Sequence, residues 1–365
     1  MLKTFNEVFD DYTKYGTKIK TEQYHTVGTN IIIDQGQADI AGYTDQIDGL
    51  FKDVPVIVFG DHTRIIKYIN RPFFLGADGT KILKSKIPNA NYKYLYYALK
   101  NAKIPNTGYN RHFKWLKQIS ISFPEHHKQS MIVEILDKLE DSIDNYNTIL
   151  GLLDKLVKAR FIEMFGDPIV NEKGWRTKLL LDMGQCKNGM NFHYDDKGID
   201  INCLGVCDFK NFSVIDNTKV LPTVSLNEMP SEEYLLKDDD IVFVRSNGNK
   251  ALVGRSLVVY PGNVPTTFSG FCIRYRKYDN EIIVPYLLRV LKTDSVRMKM
   301  AGRGANIQNL NQQILGTLVI PVPPIELQQQ FADFVRQVDK SREAVKKSLE
   351  KTQQLYDSLM QEYFG

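Results

Sequence analysis

Several absences narrow this sequence before any motif is considered. Cysteine is scarce: Cys186, Cys203, Cys207 and Cys272 are the four in 365 residues. Cys203 and Cys207 form a lone CxxxC without a second half, and no histidine stands near at zinc-binding spacing. Neither a disulfide framework nor a zinc site is expected, and buried free thiols in a reducing, cytoplasmic setting are. No apolar run approaches the roughly 18 residues that span a bilayer. Met1 to Asp10 lacks the apolar segment of a secretory signal, so no membrane partner is expected. Charge of one sign is missing too, because 47 basic and 43 acidic residues leave a net +4. That balance allows a nucleic-acid partner without implying one. A DNA surface would have to come from an uneven distribution of charge.

Catalytic signatures are equally thin. There is no GxxxxGK(S/T) loop and no glycine-rich strand–turn–helix for a nucleotide cofactor. An amino-methyltransferase would carry Asn or Asp before Pro-Pro and an aromatic residue after it. Here Pro323-Pro324 is followed by Ile325 and has no polar residue in front. Carboxylates near a lysine occur at Asp167 with Glu172-Lys173, in a linker, and at Asp195-Asp196-Lys197, a generic turn. Neither reads as a nuclease site. Asp61-His62 could serve acid–base chemistry, but no serine or cysteine nucleophile accompanies the pair. The expectation is a chain with no catalytic residue, no metal and no cofactor of its own.

What the chain does have is a repeat. Ile121-Ser-Phe-Pro124 resembles Ile320-Pro-Val-Pro323, 199 positions on, and the same shift carries Gln129 to Gln328, Ser142 to Ser341 and Phe165-Gly166 to Phe364-Gly365. Upstream, the segment Tyr94 to Lys100 resembles Tyr286 to Lys292 at a shift of 192. The organisation therefore reads as a globular unit over 1–123, a helix over 124–166, a second globular unit over 167–322 and a second helix over 323–365. Pro124 and Pro324 suit the first turns of the helices. Two copies with long helices point to a pseudo-twofold molecule.

Both helices carry a seam. Leu136, Leu139, Ile143, Tyr146, Leu150, Leu153 and Val157, then Met164, recur at alternating steps of three and four, with Arg160 as an interruption. Val335, Val338, Arg342, Val345, Leu349, Thr352, Tyr356, Leu359 and Tyr363 follow the same phase. A helix of about 40 residues is roughly 60 Å long. That exceeds the width of a small domain, so each seam needs another helix to cover it. The fold class expected is α+β: two pseudo-repeated mixed α/β units separated by two long, antiparallel, coiled-coil-like helices. The alternative is two amphipathic helices lying on their own domains.

Three loops carry candidate recognition chemistry. In the first unit the strand Val54 to Phe59 runs into Gly60-Asp61-His62-Thr63-Arg64, where a recognition or turn-stabilising role is expected. In the second unit Asp240 to Val244 runs into Arg245-Ser246-Asn247-Gly248-Asn249-Lys250. Arginine pairs with guanine and asparagine with adenine through two hydrogen bonds each, but Asn-Gly is also an ordinary hairpin signal, and both readings stay open. The third cluster precedes each proline boundary: Gly108, Tyr109, Asn110, Arg111, His112 and Lys114 in one copy, Arg297, Gly302, Arg303, Gly304, Asn306 and Gln308 in the other. Glycine admits a phosphate close to the backbone and arginine neutralises it.

The order and duplication of these features resemble the specificity subunit of Type I restriction–modification enzymes, over nearly the whole chain. The resemblance rests on the repeated Phe-Pro/Val-Pro boundary with a seamed helix after each, on Phe165-Gly166-Asp167-Pro168 closing the first helix, on Gly174-Trp175 opening the second unit, and on the Gly60 to Arg64 and Gly108 to His112 segments. It implies that each globular unit is a target recognition domain reading one half of a split, non-palindromic double-stranded DNA site. It implies helices that space the domains and dock two methyltransferase subunits using S-adenosylmethionine, and separate restriction subunits using ATP and Mg. The DNA-contacting candidates are then Asp61, His62, Thr63, Arg64, Asn110, Arg111, His112, Lys114, Arg245, Ser246, Asn247, Asn249, Lys250, Arg297, Arg303, Asn306 and Gln308. One departure is that the first unit begins near Met1 without a counterpart of Gly174-Trp175. A recognition subunit of a fused nuclease–methylase system and a coiled-coil scaffold binding protein alone are the remaining alternatives.

Overall fold

The most apolar stretch of each half of the sequence becomes a central strand. Val56–Gly60 and Asp240–Val244 are buried at every position, as strands are when both faces of a sheet are covered. Around them, the computed structural model of the chain shows two compact units. One comprises Met1–Ile149 with Val345–Gly365, and the other Leu150–Ala344. The structure describes residues 1–76, 78–192, 197–210, 213–301 and 309–365, without the side chains of Lys250 and Ala301.

The first half of the chain forms β1 (Leu2–Thr4), α1 (Phe5–Val8), β2 (Phe9–Asp11), β3 (Asn30–Ile33), β4 (Gly42–Thr44), β5 (Val56–Gly60), β6 (Ile66–Ile69), β7 (Phe73–Leu75), β8 (Thr80–Ser85), α2 (Tyr92–Lys100), α3 (Phe113–Leu116), β9 (Ser120–Ser122) and the long α4 (His126–Phe165). The second half forms β10 (Thr177–Leu179), β11 (Gly184–Asn188), β12 (Ile199–Leu204), β13 (Val214–Ile215), β14 (Thr223–Leu226), β15 (Asp240–Val244), β16 (Ser256–Val259), β17 (Thr266–Phe268), β18 (Cys272–Lys277), α5 (Val284–Leu291), α6 (Asp294–Ala301), α7 (Gln312–Gly316), β19 (Val319–Pro321) and the long α8 (Ile325–Phe364).

The repeat extends to topology. The first unit has sheets ordered β2-β8-β5-β6 and β4-β3-β7, and the second has β11-β18-β15-β16-β13 and β14-β12-β17. The orders correspond strand for strand, with β13 added parallel to β16 at the edge of the second unit. In both units the smaller sheet holds a parallel pair, β3 with β7 and β12 with β17. Both units are thus mixed α/β. The first unit does possess an opening strand: β1 pairs antiparallel with β9, Leu2 facing Ser122, as β10 pairs with β19, Thr177 facing Pro321. What the first copy lacks is the Gly174-Trp175 turn, in which the Trp175 indole donates to the Phe165 carbonyl at 3.0 Å.

Shared hydrogen bonds seat the start of each long helix. The Tyr94 hydroxyl donates to the Ser122 carbonyl at 2.7 Å, and that of Tyr286 to the Pro321 carbonyl at 3.0 Å. The repeat-matched glutamines do likewise. Gln129 donates through Nε2 to the Pro124 carbonyl and Gln328 to that of Pro323, at 2.8 and 2.9 Å. Pro321 and Pro323 are buried, where a carbonyl needs a partner. Gly166, at φ +77°, ends α4 by donating its amide to the Ile162 carbonyl at 2.8 Å.

In the first unit, Ile132 and Leu136 of α4 enter one core with Tyr94, Leu95, Tyr356 and Met360, and Leu139, Ile143 and Leu359 pack against it. The Tyr356 hydroxyl donates to Glu140 at 2.8 Å. In the second unit, Val157, Phe161 and Phe165 share a core with Tyr286, Phe331 and Val338, with Leu153 and Val335 beside it. Leu150, Val345 and Leu349 are half-buried. Arg160, where the sequence pattern breaks, forms a half-exposed ion pair with Glu163 at 2.9 Å. The burial passes instead to Phe161, 0% exposed.

Candidate nucleic-acid interface

In the first unit two distant segments form one structure. Strand β5 ends at Gly60, where a Cβ would lie 2.2 Å from the Thr63 hydroxyl. Asp61 follows, 4% exposed. Its amide donates to the Gly79 carbonyl at 2.7 Å, and its own carbonyl accepts the His112 amide at 2.7 Å. Its carboxylate accepts the Phe113 amide at 2.7 Å, at the start of α3. His112 is fully buried, with Nδ1 3.0 Å from the Asp61 carbonyl and Nε2 3.4 Å from the Thr107 hydroxyl. Asp61 and His112 therefore bolt the Thr107–Lys114 segment to the β5–β6 turn. This corrects their placement among the contacting candidates, since both residues are buried and Asp61 Oδ1 and both His112 ring nitrogens meet protein groups.

The side chains that remain at the surface are others. The His62 ring stacks on Tyr109, centroids 4.8 Å apart and planes at 10°, while Tyr109 is 88% exposed. Thr63 is exposed, and its hydroxyl donates to the Gln35 carbonyl at 2.6 Å. Arg64 takes a left-handed φ of +64° and donates to the Ile104 carbonyl at 3.2 Å. Asn110, Arg111 and Lys114 are exposed, with Asn110 donating to the Thr107 carbonyl and the Lys114 ammonium 5.1 Å from the Trp115 ring centroid. Gln35 carries no motif that marks it in the sequence. Its Oε1 accepts the His62 amide at 3.1 Å and its Nε2 donates to the Asp78 carbonyl at 2.9 Å, which fixes the turn from below.

In the second unit, β15 leads into Arg245, Ser246 and Asn247, all half-buried, and exposed Asn249. The Arg245 guanidinium donates to the Gly270 carbonyl at 3.2 Å, its amide to Phe271 at 2.8 Å, and its carbonyl accepts the Leu310 amide at 2.7 Å. Asn247 and Asn249 each accept an amide two residues on, at 2.7 and 3.0 Å. The Asn-Gly pair is thus not a two-residue hairpin. It opens a longer excursion with a 3₁₀ turn at Lys250–Leu252 before β16. Arg297, on α6, donates to the Ala251 and Val253 carbonyls at 3.4 and 3.3 Å and so braces that excursion. Burial lowers its pKa, and the neighbouring Arg255 charge lowers it further. The Lys250 side chain and the candidates Arg303, Asn306 and Gln308 lie outside the described residues.

All four cysteines are free. Burial pushes the thiols of Cys186 and Cys203 up to about 12 and raises that of Cys272. Cys207, against the expectation of burial, is exposed. Glu172 accepts the Asp167 amide at 3.2 Å, and Asp167 accepts that of Ile169 at 2.8 Å, so these carboxylates shape the turn after α4. Among the described residues no group of three or more His, Cys, Asp or Glu is placed to hold a metal, and no helix is long and apolar enough to cross a membrane.

Comparison with known proteins adds four findings. The family model for the Type I restriction modification DNA specificity domain matches residues 2–154 and again 172–354. The EcoR124I/EcoR124II specificity subunit of Escherichia coli, a Type I restriction enzyme component, is 22% identical over an alignment covering 91% of this chain and 84% of that protein. Among solved structures, the S subunit of a Type I restriction–modification system from M. genitalium superposes with a TM-score of 0.62 at 19% identity, covering 100% of this chain and 96% of that one. A second solved chain, from work on complex assembly and conformational transition of the Type I system, gives 0.53 at 13% identity, covering 100% and 97%.

Proposed function

This chain belongs to the family of Type I restriction–modification DNA specificity subunits, and from that membership we propose how it reads DNA. DNA recognition is its function. Each mixed α/β unit reads one half of a bipartite, non-palindromic double-stranded site. The two long helices pair as an antiparallel coiled coil that sets the distance between the halves. The observation that carries this reading is the duplication itself: two matches to one family model and, in each unit, a pair of sheets of corresponding strand order. Both long helices contribute residues to each core, and Arg342 pairs with Asp154 at 2.7 Å within the second unit.

On this reading the chain is non-catalytic and works in the cytoplasm. Two methyltransferase subunits supply S-adenosylmethionine chemistry, and restriction subunits supply ATP- and Mg-dependent cleavage. Arg111 and Lys114 hold phosphates, while Thr63, Arg64, Arg245, Ser246 and Asn249 approach base edges. Phosphate contacts fix register and base contacts choose sequence.

The test is affinity and methylation mapping on the assembled complex. Arg111→Ala weakens binding to all sequences alike and reduces the slope of log affinity against log salt by about one. Arg245→Ala relaxes a single base position in one half-site, by about 1–3 kcal/mol of discrimination. If both variants leave the methylated sequence and the salt slope unchanged, the assignment fails. Separately, inserting one heptad near Leu150 alters the spacer between half-sites and leaves the half-sites themselves as they were. Sequencing of methylated adenines reads this directly, and an unaltered spacer refutes the ruler.

A further inference from the structure

The second unit contains a cavity of about 270 Å³ whose chemistry is one-sided. Among the described residues four cations line it, Lys210, Arg255, Lys292 and Arg297, with Ser213 and Ser256 and no carboxylate. None of the four cations forms an ion pair among the described residues. The nearby carboxylates are already engaged: Asp294 by Lys158 at 2.6 Å, Asp154 by Arg342 at 2.7 Å, and Asp339 by Arg342 as well. Gathering like charges in a partly dry pocket is unfavourable unless an opposite charge joins them.

Two further observations point to that missing charge. Ser256 is 6% exposed, and its hydroxyl, buried in the cavity wall, has no hydrogen-bond partner. Buried hydroxyls almost always find one. The repeat supplies an internal control. Lys292 stands where Lys100 stands in the first unit. Lys100 is neutralised by Glu140 at 2.6 Å, which holds its pKa above the usual lysine value. Lys292 has no such partner. Burial, with Arg289, Arg297 and Arg342 repelling its charge against the one opposing pull of Asp154, lowers its pKa to about 8.

We propose that this cavity binds a phosphate-type oxyanion, held by the guanidinium groups of Arg255 and Arg297, the Lys292 ammonium and the Ser256 hydroxyl. Two hydrogen-bonding forks and a point charge match the oxygens of a tetrahedral anion. The anion is either free phosphate or a phosphodiester of the DNA backbone, which present the same oxygens.

The test uses the full chain and inorganic phosphate. In phosphate-free buffer the thermal midpoint rises on adding phosphate and does not rise with sodium chloride at equal ionic strength, because a ligand that binds only the folded state stabilises it. Lys292→Met removes a repelled charge, so its own phosphate-free midpoint is not lowered, yet its phosphate dissociation constant increases at least tenfold. Arg255→Gln, at a half-exposed position, repeats the measurement should the first variant fold poorly. Absence of a phosphate-specific shift in the native chain, or its persistence in both variants, overturns the site. DNA then identifies the source. Competition between phosphate and DNA at constant ionic strength, with weaker binding of Lys292→Met to every sequence, assigns the backbone. Simultaneous binding with unaltered DNA affinity assigns the free anion. Phosphate binding is read without DNA, so failure of the recognition scheme leaves this result standing.

Discussion

Phe161→Ala destabilises the second unit by about 3–5 kcal/mol, the range for deleting a large aromatic side chain from a packed core. Phe161 is fully buried, and its ring centroid lies 5.2, 5.8 and 5.5 Å from those of Phe165, Tyr286 and Phe331. These four rings come from α4, α5 and α8, so the cavity left behind has rigid walls on every side and collapses poorly. The two tryptophans make the effect local and measurable. Trp115 lies in the first unit and Trp175 in the second. In a Trp115→Phe background, urea unfolding followed by Trp175 emission should show a lower midpoint at unaltered slope. Leu156→Ala, 48% exposed on the same helix, should remain within about 0.5 kcal/mol of the native chain. A loss below about 1 kcal/mol for Phe161→Ala would show that these rings do not form the joint between helices and unit.

Asp240→Ala is comparably damaging for a different reason. Asp240 opens β15 with no exposed surface. Its carboxylate accepts the Arg276 guanidinium from β18 at 2.8 and 2.7 Å and the Lys237 amide at 2.7 Å. Removing the buried carboxylate strands the Lys237 amide and leaves the half-buried Arg276 with the Leu235 carbonyl alone, which costs about 3 kcal/mol, the lower end for breaking a buried pair. Adding Arg276→Met should recover part of that loss, since no charge is then stranded. Denaturant midpoints of the two single variants and the double variant decide this. A double variant no more stable than Asp240→Ala alone refutes it. Arg245 follows directly on the end of this strand, so Asp240→Ala should also blur sequence choice in one half-site while sparing the other.

How much of this was legible in the sequence depends on the range of the interaction. The long helices were, because proline boundaries and i to i+4 spacing are local signals, and their observed bounds, His126–Phe165 and Ile325–Phe364, lie within two residues of those expected. That each half builds its own mixed α/β unit was also legible, through the repeat. The pairing of β3 with β7 and β12 with β17 was not. Parallel partners lie dozens of residues apart, and only packed side chains decide them. The switch from Val157 to Phe161 was hidden because Arg160 draws attention to a break in phase, whereas the aromatic rings simply take over one position later. Loop chemistry misled in one respect. Asp61 and His112 look like contact residues by type, but residue type does not reveal that a carboxylate faces the Phe113 amide 52 positions away. Arg255 had a weak signal in the Gly254-Arg255 pair, the same composition that marked the other loops.

Gln129 and Gln328 hold the Pro124 and Pro323 carbonyls with neutral amides, beside the equally uncharged Tyr94 and Tyr286 hydroxyls. Counterions do not screen such bonds, and no group in them titrates near neutrality. Adhesion to a polyanion weakens steeply with ionic strength. Brine should therefore loosen the grip on a nucleic acid while the frame that carries the gripping loops stays seated, so that release does not require the carrier to come apart.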